Sequence, residues 1–189
     1  MRPSLITVFL LCCFFSPVAA PVVFADEEDE KPVHPIEVGA ADWPWWRGPQ
    51  HNGIAAADQQ PPLTWSDSEN VLWKVPVPGR GHGSATVVGD QVFLATADVE
   101  TQLQSVLCFD RQTGEQKWST IVHEGGIPDA KNKRAAGNEK ASFASSTIAC
   151  DGTYLFINFL SAGAVYTSAL NRDGRLLWQT KISDYVVHQ

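Results

Sequence analysis

The chain has 189 residues, 44% of them hydrophobic, with 14 Lys and Arg against 21 Asp and Glu and a formal charge of −7. That length supports a sizeable core. The acidity disfavours nucleic acid or an anionic membrane surface as a partner, because neither is attracted to an acidic protein.

Residues 1–25 read as an export signal. Arg2 supplies the positive start, and Leu5 to Phe15 is an apolar run of signal length, too short to span a bilayer. The expected cut follows Ala25, since Pro21 hinders cleavage after Ala20, and Leu11 before Cys12 argues against a lipid anchor. Cleavage removes Arg2 and no acid, leaving 13 basic and 21 acidic residues, a charge of −8 and no membrane span. Residues 26–41, opening with DEEDE, form an acidic disordered leader. Residues 42–68 form a Trp-rich clasp, with Trp43, Trp45 and Trp46 within four positions.

Two segments repeat, one from Ser84 and one from Ser146. In each, a short β-rich run meets a tight turn, Gly89-Asp90 or Asp151-Gly152, suited to a hairpin. Second strands follow at Gln91–Thr96 and Thr153–Phe159, and third strands at Ser105–Phe109 and Val165–Leu170. A turn, DRQTG or NRDG, then leads to a last strand carrying Trp118 four residues after Gly114, or Trp178 four after Gly174. Short apolar runs bounded by Gly, Asp and Asn mark strands rather than helices. The expected class is all-β: four-stranded antiparallel blades of a partial β-propeller, blade one at 83–122 and blade two at 144–182. Residues 69–78 resemble a last strand, with Trp73 at the repeated position and no first three strands before it. They are expected to be an orphan outer strand closing a ring. A long inter-blade loop covers 123–143, and 183–189 would begin a further blade, so the chain reads as an N-terminal fragment. Trp73, Trp118 and Trp178, with Gly114 and Gly174, are expected to serve inter-blade packing.

The sharpest binding candidate is PGRGHGS, Pro78 to Ser84. At the start of a channel-lining strand, Arg80, His82 and Ser84 would present a cation, an imidazole and a hydroxyl. Glycines 79, 81 and 83 would let backbone approach a ligand. The matching lead-in to blade two brings Lys140, Ser142 and Ser145 to the same face. Lys131, Lys133 and Arg134 make a basic spot in the long loop. Trp45 and Trp46 are either part of the clasp or an aromatic platform for a flat ligand. No metal site is expected: the histidines lack ligand spacing, and NRDG lacks the rest of a calcium loop. Cys108 and Cys150, the two cysteines left after cleavage, are expected to be small buried thiols.

DWP, WRGP and NG at 42–53, followed by the GRGHGS lead-in and the repeated DRQTGEQKW and NRDGRLLW, resemble secreted PQQ-like β-propeller repeat proteins. These belong to the quinoprotein alcohol dehydrogenase-like superfamily. It includes quinoprotein dehydrogenases, the propeller subunit of the outer-membrane protein assembly machine and many exported proteins. The resemblance implies a leader packed along the outside or edge of the propeller, and an exported, periplasmic or secreted, non-catalytic scaffold binding a protein or envelope component without a cofactor. The alternative it implies is a fragment of a PQQ- and calcium-dependent oxidoreductase. Such members stack the quinone on a disulfide of adjacent cysteines, and the only adjacent pair, Cys12 and Cys13, lies in the signal. A third reading is a carbohydrate-binding or sugar-oxidising propeller using Trp45 or Trp46.

Overall fold

The computed structural model describes residues 35–128 and 142–185. The export signal, the acidic run to residue 34, the loop cluster Lys131, Lys133 and Arg134, the site candidate Lys140, and residues 186–189 lie outside them. The described chain is all-β, without a helix. It forms two four-stranded antiparallel sheets with strands in sequence order.

Blade one comprises β1 (Thr86–Val88), β2 (Gln91–Asp98), β3 (Leu103–Asp110) and β4 (Gln116–Glu124). Blade two comprises β5 (Ala149–Cys150), β6 (Tyr154–Ser161), β7 (Ala164–Asn171) and β8 (Leu176–Asp184). The register repeats: Thr86, Phe93, Cys108 and Trp118 share one row, and Ala149, Phe156, Ala169 and Trp178 share its counterpart. β4 and β8 run two residues past the expected blade ends, taking in His123 and Glu124 of the expected loop and Ser183 and Asp184 of the expected further blade.

Strand alternation sorts the apolar residues onto two faces. Phe93, Ala95, Val106 and Cys108 pack with Ile148, Leu155, Ile157 and Phe159 in one core between the blades. Complete burial of such side chains contributes about 1.5–3 kcal/mol each. On the far face of blade one, Val92, Leu107 and Phe109 are covered by Trp73 and Val75.

Two of the repeated tryptophans, Trp118 and Trp73, dock on the glycine-ended turn of the unit that follows. Trp118 donates its indole N–H to the Arg172 carbonyl at 3.0 Å, and Thr120 donates to the Gly174 carbonyl at 2.5 Å. Trp73 does the same to the Arg111 carbonyl at 2.9 Å. Gly114 and Gly174 lie under these rings in the left-handed region, at φ 74° and 87°. A Cβ on either would sit 2.6 Å from an indole carbon, so glycine meets both the backbone and the packing requirement. Arg172 adds a second staple, donating to Gln91 Oε1 at 2.8 Å and to the Val88 and Gly152 carbonyls.

The segment expected as an orphan strand, 69–78, is unpaired among the described residues: residues 71–77 have no strand pairing, and Glu69 makes only a local bridge to Ser66. Strands exist through their neighbours, and no described strand lies beside this segment, while Pro76 and Pro78 lack donors. The leader, expected along the outside or edge, packs on a strand edge. Trp43 pairs antiparallel with Val87 on the free edge of β1, and the Pro44 carbonyl accepts the Cys150 N–H of β5 at 2.8 Å. Both inner strands offer unpaired backbone groups, and the leader satisfies them. The buried Asp42 carboxylate completes the junction, accepting the Gly39 N–H at 2.7 Å and the Gly89 N–H at 2.9 Å.

Candidate functional site

The lead-in strip 78–84 ties blade one to the approach to blade two. Arg80 exchanges two backbone hydrogen bonds with Ala97 of β2, at 2.8 and 3.1 Å. The Thr96 hydroxyl donates to the Pro78 carbonyl. The N–H groups of His82 and Gly83 donate to the Ala144 carbonyl, and that of Ser84 donates to the Thr147 hydroxyl at 3.0 Å.

Alternation explains why glycine fills every second position. A Cβ at Gly79 would meet the Ala97 carbonyl oxygen at 2.5 Å; at Gly81 it would strike that of Ala95, and at Gly83 that of Ser146. These glycines therefore admit the protein's own backbone, not a ligand as expected. The intervening Arg80, His82 and Ser84 are left exposed to solvent. A cation, an imidazole and a hydroxyl thus stand on a strip whose backbone is held from two sides.

The serines of the second lead-in are engaged in their own turn. Ser145 Oγ donates to the Ser142 carbonyl at 2.6 Å and accepts the Ser142 N–H at 3.2 Å. Ser142 is partly buried and Ser145 exposed.

The three leader tryptophans divide. Trp43 lies on Gly48, and Trp45 stacks on His51 at 5.1 Å with its indole N–H buried and unpartnered among the described residues. Trp46 is 62% exposed, with the Arg47 guanidinium 5.4 Å from its ring centre. Beside them, the leader wraps a cavity of about 510 Å³ lined by Trp43, Pro49, Gln50, Ile54 and Gln59.

The described residues do not fit a quinone–calcium site. Cys108 and Cys150 are single buried thiols, one in each blade. Asp98, Asp110 and Asp151 accept backbone N–H groups of their own turns, and no three His, Cys, Asp or Glu side chains cluster among the described residues. Burial pushes the Cys108 thiol up to about 11 and raises Cys150 as well, which makes both poor nucleophiles.

Sequence reasoning missed Arg172. The signal was present, since arginine follows the acid or amide in both DRQTG and NRDG. Arg111 makes the matching reach, to the Gly89 and Ala41 carbonyls.

Successive four-stranded meanders, interlocked through inner strands and docked tryptophans, define a repeat protein of the β-propeller type. The family model described as outer membrane protein assembly factor BamB, built on PQQ-like repeats, matches residues 46–186, more than half of the chain. The chain belongs to that family. No curated protein matches it.

Proposed function

We propose that the protein is exported to the cell envelope and acts there as a non-catalytic β-propeller scaffold, holding a protein or envelope component against its lead-in face. The family's description as an outer membrane assembly factor and the export signal read at 1–25 support the location. The observation that carries the binding role is the strip of Arg80, His82 and Ser84, exposed on backbone pinned to both β2 and the second lead-in. Such preorganisation lowers the ordering cost of binding, and the Arg80 guanidinium suits a carboxylate or phosphate on the partner.

Two measurements test this. The N-terminus of the protein recovered from the envelope is expected at Asp26; an uncleaved Met1 in the cytosol refutes export. Affinity capture from envelope extracts is expected to retain a component that the Arg80→Ala/His82→Ala variant loses at unchanged melting temperature. Identical retention by both proteins refutes the role of the strip.

The exposure of Trp46 favours a second reading, a carbohydrate platform, because an open indole face stacks on sugar rings. Titration with cellohexaose or maltohexaose would then shift tryptophan fluorescence, and Trp46→Ala would abolish the shift. An unchanged spectrum removes the reading.

A further inference from the structure

His123 reaches from the last strand of blade one onto the sheet of blade two. Its half-buried ring lies edge-to-face on Phe159 at 5.9 Å and on Tyr166 at 5.1 Å, two residues paired across β6 and β7. Beside it, Gln179 of β8 brings its amide nitrogen to three groups: the Val122 carbonyl at 3.2 Å, Ser168 Oγ at 3.1 Å and His123 Nε2 at 3.3 Å. The first of these contacts fixes the third. A carbonyl only accepts, so the NH2 end of the Gln179 amide faces Val122. The His123 nitrogen that meets the same NH2 can offer only a lone pair, which makes the imidazole neutral with its proton on Nδ1. Protonation would set an N–H against an NH2.

The surroundings offer an imidazolium no counter-charge. On blade two, the row of Phe159 and Tyr166 ends at Lys181, whose ammonium is tied to the Asp184 carboxylate of the same strand. Besides Tyr166, β6 and β7 bring only Phe159 and the buried Ser168 to this contact. On blade one, β3 places the neutral Gln104 opposite His123, while Glu124, next along β4, pairs with Leu103 and is exposed. Burial pushes the His123 pKa below its ordinary value. Gln104 is fully buried and donates to the Phe143 and Leu160 carbonyls at 2.8 and 2.9 Å. The His123 pair thus also carries the side chain that holds the second lead-in against blade two.

We propose that His123 is an acid-released latch between the blades: neutral, it accepts from Gln179 and lies on the aromatic row, and charged, it leaves both and opens the contact of β4 with blade two. The folded pKa is depressed, so the contribution of the latch is complete above the ordinary histidine value of 6.5 and is lost as pH falls below it. Placed outside the cytoplasm, as proposed above, the contact would follow the pH of the surroundings; its chemistry does not depend on that location.

Two measurements on the mature chain test this. Nitrogen NMR of histidine-labelled protein is expected to show His123, assigned by its loss in His123→Phe, as the Nδ1–H tautomer at neutral pH. It should titrate at lower pH than exposed His82. An Nε2–H tautomer, or titration at or above His82, would overturn the proposal. The second measurement is melting temperature between about pH 7.5 and about pH 5, the range in which histidine changes charge. It should fall by several degrees more in the natural protein than in His123→Phe, which keeps a packed ring that cannot be charged. Gln179→Glu supplies both an acceptor and a counter-charge, so its melting temperature should hold or rise over the same range. The same pH dependence in all three proteins would overturn the latch.

Discussion

Gly174→Ala isolates the value of the tryptophan lock when compared with Gly163→Ala. Both glycines are left-handed, at φ 87° and 72°, so alanine costs about 1–2 kcal/mol of backbone strain at either. They differ in surroundings. A Cβ at 163 meets nothing within 4 Å, whereas at 174 it lies 2.6 Å from Trp118 Cδ2 and 2.8 Å from Cε3. The indole has little room to yield, being held by its bond to the Arg172 carbonyl and packed beside Phe93. Overpacking costs about 1–3 kcal/mol, and loss of the indole bond adds about 1 kcal/mol. Gly174→Ala should therefore cost about 2–4 kcal/mol more than Gly163→Ala, or about 4–16 °C in melting temperature for a domain of this size. Thermal and urea unfolding of the full chain, followed by circular dichroism, would measure the difference. Equal losses would mean that the ring moves aside freely and that the docked tryptophan does not hold the blades together.

Arg172→Met should cost about 2–3 kcal/mol by removing charge-assisted bonds to Gln91 and two carbonyls; Arg175→Met, on an exposed position, should be silent in the same melts. Asp110 accepts the N–H groups of Thr113 and Gln112, which hold its carboxyl at about 2 against an ordinary 3.8. Its folded value is depressed, so the contribution is complete above pH 4 and lost as pH falls toward 2; Asp110→Asn should flatten the acid limb of melting temperature against pH, and an unchanged slope would refute the assignment. Neither thiol of the folded mature chain should react with a disulfide reagent at pH 8, and both should react on unfolding; rapid titration of either in the native state would contradict their burial. Trp43→Ala should cost about 2–3 kcal/mol by emptying the space over Gly48, while Trp46→Ala should stay within about 0.5 kcal/mol, both read by urea denaturation.

The blades were legible because their punctuation is local. Gly89-Asp90 and Asp151-Gly152 mark hairpins by residue type alone, and the recurrence of Trp118 and Trp178 marks the last strands. The seat of each tryptophan was harder to read, because one indole docks on the turn of the following unit, and alignment shows equivalence rather than contact. The leader's route was hidden for a different reason. Trp43 and Pro44 bond β1 and β5 through backbone groups, which every residue carries and no composition advertises. The lead-in strip was half legible: Arg80, His82 and Ser84 stand out by residue type and are exposed, yet the glycines between them fit the Ala97, Ala95 and Ser146 carbonyls. Alternate glycine is the pattern of a backbone passing close to another backbone, and that pattern does not say whose.

The tryptophan lock also sets an order in time. Each indole precedes its acceptor carbonyl in the chain, Trp73 by 38 residues and Trp118 by 54. A polypeptide growing at about 5–20 residues per second leaves Trp118 without its seat for about 3–11 s. During that interval the last strand of blade one is an unsealed apolar edge. The long connection after β4 lengthens the exposure relative to Trp73. The inter-blade loop is therefore also a timer: shortening it would bring the turn to the waiting ring sooner, and lengthening it would extend the period in which a chaperone or a second nascent chain can reach the ring first.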